Sequence, residues 1–301
     1  MPASILEPYL KKLDACPLCG GRERKHLYEL EHTQVYKCAC GLSYLDPCLD
    51  PAGMAAAYES SETLKALNEF HDGYYEYGSL DTETKTLQEF NASLGLLEKH
   101  GGGCARRLFE VGFGNGLFLA LAKKRGWQVD GIDTSRTNAE LAREKFGLHL
   151  KTGFFEALDA SGEKPQAAAI LDVIEHVPDP HKMIRKAHEL LAPGGLLLIA
   201  TPNEASFLRL LSDLVYRLSG GKIKTGIKKI YFLEHVTYFD RASLTRLLEQ
   251  NGFQPVEHFY SSTDLAKYRL NPLERLAGEI IILLQKIFRR QNRLLMVARK
   301  K

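Results

Sequence analysis

From residue 107 onward, short apolar runs alternate with longer segments in which apolar residues recur every three or four positions. This alternation predicts strands that alternate with helices, and hence a parallel sheet covered by helices on both faces. The predicted strands are residues 107–111, 128–132, 149–151, 167–171 and 195–200. The predicted helices are residues 116–125, 136–146 and 180–191. The pattern indicates an α/β fold with a doubly wound sheet, whose ligands bind at the carboxyl ends of the strands.

Two segments outside this alternation carry helical spacing with a wide apolar stripe. The first lies within 204–233 and leads into a glycine- and lysine-rich loop, and the second spans 265–291 and ends in basic residues. Two basic amphipathic segments could form a surface for anionic lipid headgroups. Alternatively, the lysine loop binds the diphosphate of a nucleotide sugar. A third interpretation is that both helices pack as a cap over an acceptor site or as a dimer contact.

Composition changes this picture little. The chain has 301 residues, 45% of them hydrophobic and 26% charged, which is ordinary for a globular protein with a sizeable core. A net charge of +3 gives no general case for a nucleic-acid partner. The first residues lack the basic region and apolar core of a signal peptide, and the apolar runs are too short to span a bilayer. We therefore expect a cytoplasmic protein, with peripheral membrane contact left open.

A glycine-rich turn follows the first predicted strand of this sheet. Gly112, Gly114 and Gly116 follow Glu110, and Asp133 ends the next strand about 20 residues further on. Glycines allow a tight turn and close approach of a ligand, and the helix that begins there presents free backbone N–H groups. Asp133 is placed to accept hydrogen bonds from a ribose diol. The spacing Gly-x-Gly-x-Gly is one residue shorter than that of a dinucleotide site.

Four cysteines near the N-terminus have the spacing of metal ligands. Cys16 and Cys19 form a Cys-x-x-Cys-Gly knuckle, and Cys38 and Cys40 follow about 20 residues later. This arrangement predicts a tetrahedral, all-cysteine zinc ribbon with a structural ion. The second pair is one residue shorter than usual, so either that knuckle is tighter or Cys48 replaces one ligand. The alternative is a set of unligated thiols in a small subdomain.

The acidic glycine turn, Glu-x-Gly-x-Gly-x-Gly, closely resembles motif I of the class I S-adenosylmethionine (SAM)-dependent methyltransferases of the type 11/23-like group. Three later segments are similar to the same family: ILDVIEHVPDP (170–180), LAPGGLLLIATPN (191–203) and EHVTYFDRASLTRLLEQNGF (234–253). Residues 292–300 resemble the last strand of the family, so the similarity extends from residue 107 to the C-terminus, apart from two inserted stretches. Together with the ribbon, the chain resembles zinc-ribbon methyltransferases that modify sugars. The resemblance implies a Rossmann-like methyltransferase sheet.

The resemblance also implies roles for individual residues. Glu110 would contact the amino acid moiety of SAM, Asp133 the ribose hydroxyls and Phe155, or else Phe154, the adenine ring. Glu156 would lie near the adenine amino group, and Asp172 would face the methionine end. The residues expected to bind the cofactor are Glu110, Gly112, Gly114, Asn115, Gly116, Asp133, Thr134, Phe155, Glu156 and Asp172.

Transfer to a neutral oxygen or carbon also requires a base that removes a proton from the acceptor. In sugar C-methylating relatives, a Glu-His pair with tyrosines nearby is the catalytic group. The resemblance therefore favours His235 as the base, Glu234 as the residue that orients it, and Tyr231 and Tyr75 as acceptor contacts. His176 is the competing base. In a third hypothesis the enzyme only positions its substrates and needs no base.

These expectations divide the chain into a zinc-ribbon-like module (1–50), a helical connector with a lid (51–103) and a SAM-dependent methyltransferase domain (104–301). The last contains a lid insertion (204–233) and an amphipathic helical segment (265–291). The expected acceptor is a small molecule, a sugar of a nucleotide-sugar or cell-surface glycan pathway. A quinone-like or lipid-linked acceptor is the alternative, as is a nucleic acid or protein recognised by the ribbon.

Overall fold

The computed structural model describes residues 7–59, 79–101, 106–265 and 271–301. The strands are β1 (Leu10–Lys11), β2 (Arg24–Glu29), β3 (Gln34–Cys38), β4 (Ser43–Asp46), β5 (Cys48–Leu49), β6 (Arg107–Val111), β7 (Gln128–Asp133), β8 (Lys151–Thr152), β9 (Ala167–Leu171), β10 (Leu196–Pro202), β11 (Thr237–Tyr238), β12 (Phe253–Ser261) and β13 (Arg293–Lys300). The α-helices are α1 (Pro51–Glu59), α2 (Lys85–Gly101), α3 (Leu117–Lys124), α4 (Arg136–Phe146), α5 (Pro180–Leu190), α6 (Phe207–Leu218), α7 (Thr225–Lys228), α8 (Arg241–Gln250) and α9 (Pro272–Ile287).

A seven-stranded sheet has the order β12-β13-β10-β9-β6-β7-β8. The strands from β10 to β8 are parallel, and β13 pairs antiparallel with both β10 and β12. This confirms the α/β, Rossmann-like prediction. Predicted and observed boundaries agree for β6, β9 and α4, whereas β8 is found at Lys151–Thr152 and not at 149–151.

The sheet is covered on both faces, as its apolar strands require. Successive residues of β6 alternate between two hydrophobic clusters: Leu108 belongs to one, and Phe109 and Val111 belong to the other. Ala168 and Ala169 in the central strand β9 are fully buried, one in each cluster. The period of two therefore places a core on each side of the sheet.

Helix α4 shows how local sequence sets these boundaries. Ser135 is the N-cap, and its side chain accepts a hydrogen bond from the backbone amide of Asn138. Gly147 ends the helix in the left-handed conformation, with φ of 62°. Both signals are visible in the sequence, which explains why the predicted and observed limits coincide.

The N-terminal ribbon shares a sheet with the C-terminal half of the chain. Its strands β2, β3 and β4 form a four-stranded sheet that β11 completes, with Thr237 paired to Tyr44 and Tyr238 to Ser43. Strand β4 is buried along its whole length. The predicted boundary at residue 50 is therefore not a separation in space, since residues from both sides of it build one sheet.

The insertion at 204–233 contains α6 and α7, and the segment at 265–291 contains α9. The two segments meet where the rings of Phe207 and Phe288 stack with centroids 5.1 Å apart. No helix within the described part of the chain is long and apolar enough to cross a bilayer. Residues 60–78, which hold the predicted tyrosine-rich lid and Tyr75, lie outside the described residues.

Candidate functional site

The glycine turn after β6 combines close packing with open space. A Cβ on Gly112 would lie 2.4 Å from a methyl group of Val173, and one on Gly116 would lie 2.8 Å from Cβ of Ala142. A Cβ on Gly114 would meet no atom within 4 Å, and all three glycines have positive φ. Gly112 and Gly116 are thus required for packing, whereas Gly114 borders a space that a ligand could enter.

Asp133 holds this turn from the end of β7. Its Oδ2 accepts a hydrogen bond of 3.0 Å from the amide of Gly114, and its Oδ1 accepts one of 2.8 Å from the amide of Ser135. The side-chain amide of Asn138 also donates to Oδ2, at 3.3 Å. Burial raises the pKa of the Asp133 carboxyl, against the opposing effect of these hydrogen bonds. A carboxylate has more than three acceptor positions, so Asp133 can still receive a ligand hydroxyl.

Glu110 lies in β6 and is 3% exposed. Its Oε2 has no hydrogen-bond partner among the described residues. Burial, and secondarily the charge of Asp133, raise its pKa well above the usual range. A buried carboxylate oxygen without a partner carries a desolvation cost that a cationic ligand group can offset.

The other predicted cofactor contacts lie at the strand ends, with one exception. Thr134 is exposed, and Asn115 and Glu156 are half-buried. Phe155 is 3% exposed and packs against Phe109 in the core, with ring centroids 6.2 Å apart. Phe154, in contrast, is 47% exposed. Of the two phenylalanines, only Phe154 has a ring face that a ligand can reach.

Asp172 follows β9 with φ of 55°, a strained conformation for a residue with a side chain. Its Oδ1 accepts a hydrogen bond of 2.8 Å from Arg293, which also donates to Glu89 in α2. Burial would lower the pKa of the Arg293 guanidinium, but the two carboxylates raise it well above its usual value. The chain of ion pairs Asp172–Arg293–Glu89 fixes the end of β9 against α2.

The two histidines predicted as competing bases lie side by side. The rings of His176 and His235 meet edge to face, with centroids 4.6 Å apart. Nδ1 of His176 lies 2.8 Å from the backbone oxygen of Glu234. Because that carbonyl only accepts, Nδ1 must carry the hydrogen, and the lone pair of the neutral ring is on Nε2.

Glu175 borders this imidazole pair. A carboxylate oxygen of Glu175 and one ring nitrogen each of His176 and His235 lie within 4.8 Å of one another. Glu175 is 1% exposed, its Oε2 accepts a hydrogen bond of 2.9 Å from Thr201, and its Oε1 has no partner among the described residues. Burial, and then the charge of Asp172, raise its pKa to about 8. Glu175 therefore gives the pair a carboxyl whose charge changes near neutral pH.

Tyr231, predicted to contact the acceptor, lies in a buried network of polar side chains. Its hydroxyl donates to Glu204, at 2.8 Å from Oε1, and accepts a hydrogen bond of 2.9 Å from Arg209. Tyr231 is 1% exposed, so these contacts fix the base of the insertion at 204–233. Glu234 is also buried, at 1% exposure, and its backbone oxygen orients the ring of His176.

Comparison with known proteins gives this geometry its meaning. Residues 80–258, more than half of the chain, match the family model described as "Methyltransferase domain". The chain belongs to the class I SAM-dependent methyltransferases. The predicted family is thereby confirmed, whereas the resemblance to sugar-modifying members stays a prediction.

Two relatives of this methyltransferase are named ubiquinone biosynthesis O-methyltransferase. The relative from Chromobacterium violaceum is 25% identical over 215 residues, which cover 66% of this chain and 90% of the relative. The relative from Ruegeria pomeroyi is 35% identical over 130 residues, or 41% of this chain, and that match spans only 51% of the relative.

Two solved structures show the same fold. Magnesium protoporphyrin IX methyltransferase from Synechocystis PCC 6803, solved with bound SAH, matches with a TM-score of 0.55 at 15% identity, covering 84% of this chain and all of the other. A putative sarcosine dimethylglycine methyltransferase from Galdieria sulphuraria matches with a TM-score of 0.51 at 15% identity, over 71% and 86% of the two chains.

The N-terminal thiols of this methyltransferase converge. The sulfur atoms of Cys16, Cys19, Cys38 and Cys40 all lie within 4.8 Å of one another, with pairs at 3.4 and 3.6 Å. A tetrahedron with metal–sulfur bonds of about 2.3 Å has edges of about 3.8 Å, so the four sulfurs fit a zinc ion. Cys48 is instead the first residue of β5 and is buried in a hydrophobic cluster outside this group of sulfurs, which overturns its role as a substitute ligand.

Sequence reasoning missed two parts of this methyltransferase site. The prediction from sequence assigns no role to Glu175, although the Glu175-His176 dipeptide is a visible signal. It also assigns no role to Arg293, because no local pattern marks this residue as the partner of Asp172, which is 121 residues away. Such a pairing depends on β13 lying beside β10, which the sequence does not specify.

Proposed function

We propose that this methyltransferase transfers the methyl group of SAM to a hydroxyl oxygen of a hydroxylated, quinone-like ring. The names of the relatives support this acceptor over the sugar that the N-terminal ribbon suggested. A quinone-like acceptor was the alternative in the sequence interpretation. The sugar acceptor has no support from these relatives.

The proposed SAM site lies along the glycine turn. SAM supplies a methyl group already activated on a sulfonium centre, so the protein has to position it in line with the acceptor oxygen. Open space at Gly114 admits the cofactor, and the unpartnered Oε2 of Glu110 suits its cationic amino group. Asp133 accepts the ribose hydroxyls. Phe154 replaces Phe155 as the aromatic residue proposed to contact the adenine.

The remaining contacts complete this proposal. Asn115 and Gly116 lie at the start of α3, where backbone N–H groups face the cofactor. Thr134 and Glu156 border the nucleoside from the ends of β7 and β8. Asp172, held by Arg293, faces the methionine end.

The observation that carries the proposal of hydroxyl methylation is the contact between His176 and His235 at the end of β9. A neutral hydroxyl must lose its proton during transfer, and an imidazole is the side chain best suited to accept it near neutral pH. His176 has its basic lone pair on Nε2 because Nδ1 donates to Glu234. His235 lies against this ring and is the second candidate. The buried carboxyl of Glu175 stabilises positive charge on the pair when it is ionised.

We further propose that the four cysteines hold a structural zinc ion. Four thiolate ligands leave no coordination position for a substrate, so this ion stabilises the ribbon and takes no part in the transfer. The Cys-x-x-Cys knuckle of the ribbon contacts helix α5 of the same chain, because the backbone oxygen of Leu18 accepts a hydrogen bond from His181. A ribbon engaged in this way has less free surface for nucleic acid, and no nucleic-acid partner is proposed.

The decisive experiment supplies methyl-labelled SAM and two acceptor pools, extracted membrane lipids and soluble nucleotide sugars. Label in the lipid pool supports the quinone-like acceptor. Label in the soluble pool overturns it in favour of a sugar. An enzyme that binds SAM and labels only added protein or RNA instead supports the macromolecular alternative.

A further inference from the structure

Exposed hydrophobic side chains are concentrated in two segments. Among the described residues, every exposed large hydrophobic side chain except Phe154 lies between 210 and 223 or between 273 and 288. The first group is Leu210, Leu211, Leu214, Val215, Leu218 and Ile223, and the second is Leu273, Leu276, Ile280, Leu283, Ile287 and Phe288. We call these residues the apolar face. Exposed patches of this kind mark interaction surfaces.

Helix α6 has the reverse of the usual arrangement for a surface helix. It buries Arg209 and Ser212 and exposes its leucines, with Leu218 80% exposed. The buried Arg209 is bonded to Glu204 and Tyr231, so its position is fixed by partners on the protein side. The leucines of α6 therefore point outward because its polar side is anchored.

Helices α6 and α9 present their apolar residues close together. Beyond the stacked rings of Phe207 and Phe288, the amide of Phe207 donates a hydrogen bond of 2.8 Å to the backbone oxygen of Arg290. Helix α9 buries Ile282 and Gln285 and exposes Leu276, Ile280 and Leu283. The start of α6 and the end of α9 thus meet, and the two helices contribute to one face.

Basic residues outnumber acidic residues around the apolar face. Residues 214–233 and 280–301 contain several lysines and arginines and no acidic residue, and the acidic residues nearest to the face are Asp213, Glu274 and Glu279. Asp213 is paired with Arg217. Lys222 and Lys228 are exposed beside α6, and Lys286 and Arg289 are exposed at the end of α9. Apolar side chains bordered by cations match the two layers of an anionic bilayer surface, acyl chains below and phosphate groups above.

We propose that the apolar face docks this methyltransferase onto the surface of an anionic lipid bilayer, with the helices lying in the interface. This inference does not depend on the identity of the acceptor. Docking would bring the candidate site near the lipid, because the insertion that contains α6 begins after β10 and is followed directly by Glu234 and His235. A ring with a lipid tail could then reach the site without leaving the bilayer.

Vesicle co-sedimentation of the full chain tests the docking. The protein is expected to pellet with vesicles of phosphatidylcholine and phosphatidylglycerol, and to pellet less with phosphatidylcholine alone or at high salt. The double variant Leu214→Ser, Leu218→Ser should lower the partition coefficient by about tenfold or more, because it removes apolar groups from the interface. The pair Lys228→Glu, Lys286→Glu should lower it by about tenfold.

The matched control is Lys123→Glu, Lys124→Glu, which changes two exposed lysines at the end of α3. Helix α3 follows β6, whereas α6 of the apolar face follows β10, two strands away in the sheet. This variant should bind vesicles like the wild type. SAM affinity is measured on all variants and should be unchanged, so that loss of docking is distinguished from loss of the proposed function. Equal pelleting of wild type and both test variants overturns docking. A dimer that Leu214→Ser, Leu218→Ser dissociates, without vesicle binding, assigns the face to a second copy.

Discussion

The amide of Leu45, in the ribbon strand β4, donates a hydrogen bond of 2.9 Å to the backbone oxygen of Val236, the residue after His235. The amide of Val236 in turn donates one of 2.7 Å to the backbone oxygen of Glu175. The ribbon and the proposed catalytic histidines are therefore connected through the backbone of one residue.

This connection predicts that loss of the ribbon metal slows methyl transfer before it weakens SAM binding. Cys19→Ser or chelation should release about one zinc ion per chain, lower the melting temperature and reduce the turnover number. The measurements are metal content, calorimetric SAM affinity and turnover. Cys48→Ala is the control, since Cys48 lies outside the cluster and should keep the metal. A metal-free wild type with full turnover would contradict the prediction.

Asp133→Ala is expected to lower SAM affinity by about tenfold or more, because a charged acceptor of the ribose hydroxyls is removed. It should also cost about 1–3 kcal/mol of unfolding free energy, since the amides of Gly114 and Ser135 lose their acceptor. Calorimetric titration with SAM and chemical denaturation measure the two effects. Asp130→Ala, a change at an exposed carboxylate of the same strand, should leave SAM affinity unchanged.

Replacement of the histidines should separate their roles. If His176 is the base, His176→Ala lowers turnover by about 10²–10⁴-fold, while SAM affinity stays within about twofold of the wild type. His235→Ala should then lower turnover less, through the loss of the ring that packs against His176. The reverse order would identify His235 as the base. Unchanged turnover in both variants would show that transfer needs no imidazole.

Stability should fall as pH rises because of Glu175. Its pKa is raised to about 8 in the folded protein, whereas a glutamate in the unfolded chain has the ordinary pKa of 4.5. Its stabilising contribution is complete below pH 4.5 and is lost as the pH rises through about 8. The free energy of unfolding should therefore fall between these limits, by up to about 1.4 kcal/mol per pH unit. When denaturant titrations are repeated across this pH range, the free energy of unfolding of Glu175→Gln should fall less steeply with pH than that of the wild type.

Arg293→Met should destabilise the protein by about 3–5 kcal/mol, because it leaves Asp172 and Glu89 without their shared partner. Chemical denaturation measures the loss. The triple variant Arg293→Met, Asp172→Asn, Glu89→Gln should recover part of it, since no unpaired charge remains. Destabilisation of the single variant below about 1 kcal/mol would show that the ion pairs contribute little.

The sequence predicted the parallel sheet and the positions of its turn residues because those signals are local. The alternating periods and the glycines of the first turn need no information from distant residues, and α4 carries both of its capping signals. Whether a ring at a strand end faces a ligand or the core is not local. Phe154 and Phe155 are adjacent and identical, and only packing against Phe109 distinguishes them.

The same limit applies to the predicted base and to the ribbon. The sequence predicts His176 and His235 as alternative bases. Their contact requires the segment at Glu234, 58 residues after His176, to lie against the end of β9. The resemblance implies an acceptor contact for Tyr231, and the hydrogen bonds of its hydroxyl with Glu204 and Arg209 depend on residues that no local pattern links to it. The spacing of the four cysteines predicts a separate module because all four lie within 25 consecutive residues. No local pattern predicts that β11 pairs with the ribbon.

The order of synthesis gives the pairing of β11 with β4 a further consequence. Strand β4 leaves the ribosome early, yet its partner Thr237–Tyr238 follows about 190 residues later. Until then the edge of β4 in the nascent ribbon is unpaired, and the four-stranded sheet cannot be completed before most of the chain has been synthesised. Folding of the metal-binding module should therefore be completed late, and a chain interrupted before residue 237 should expose an edge prone to pair with other chains.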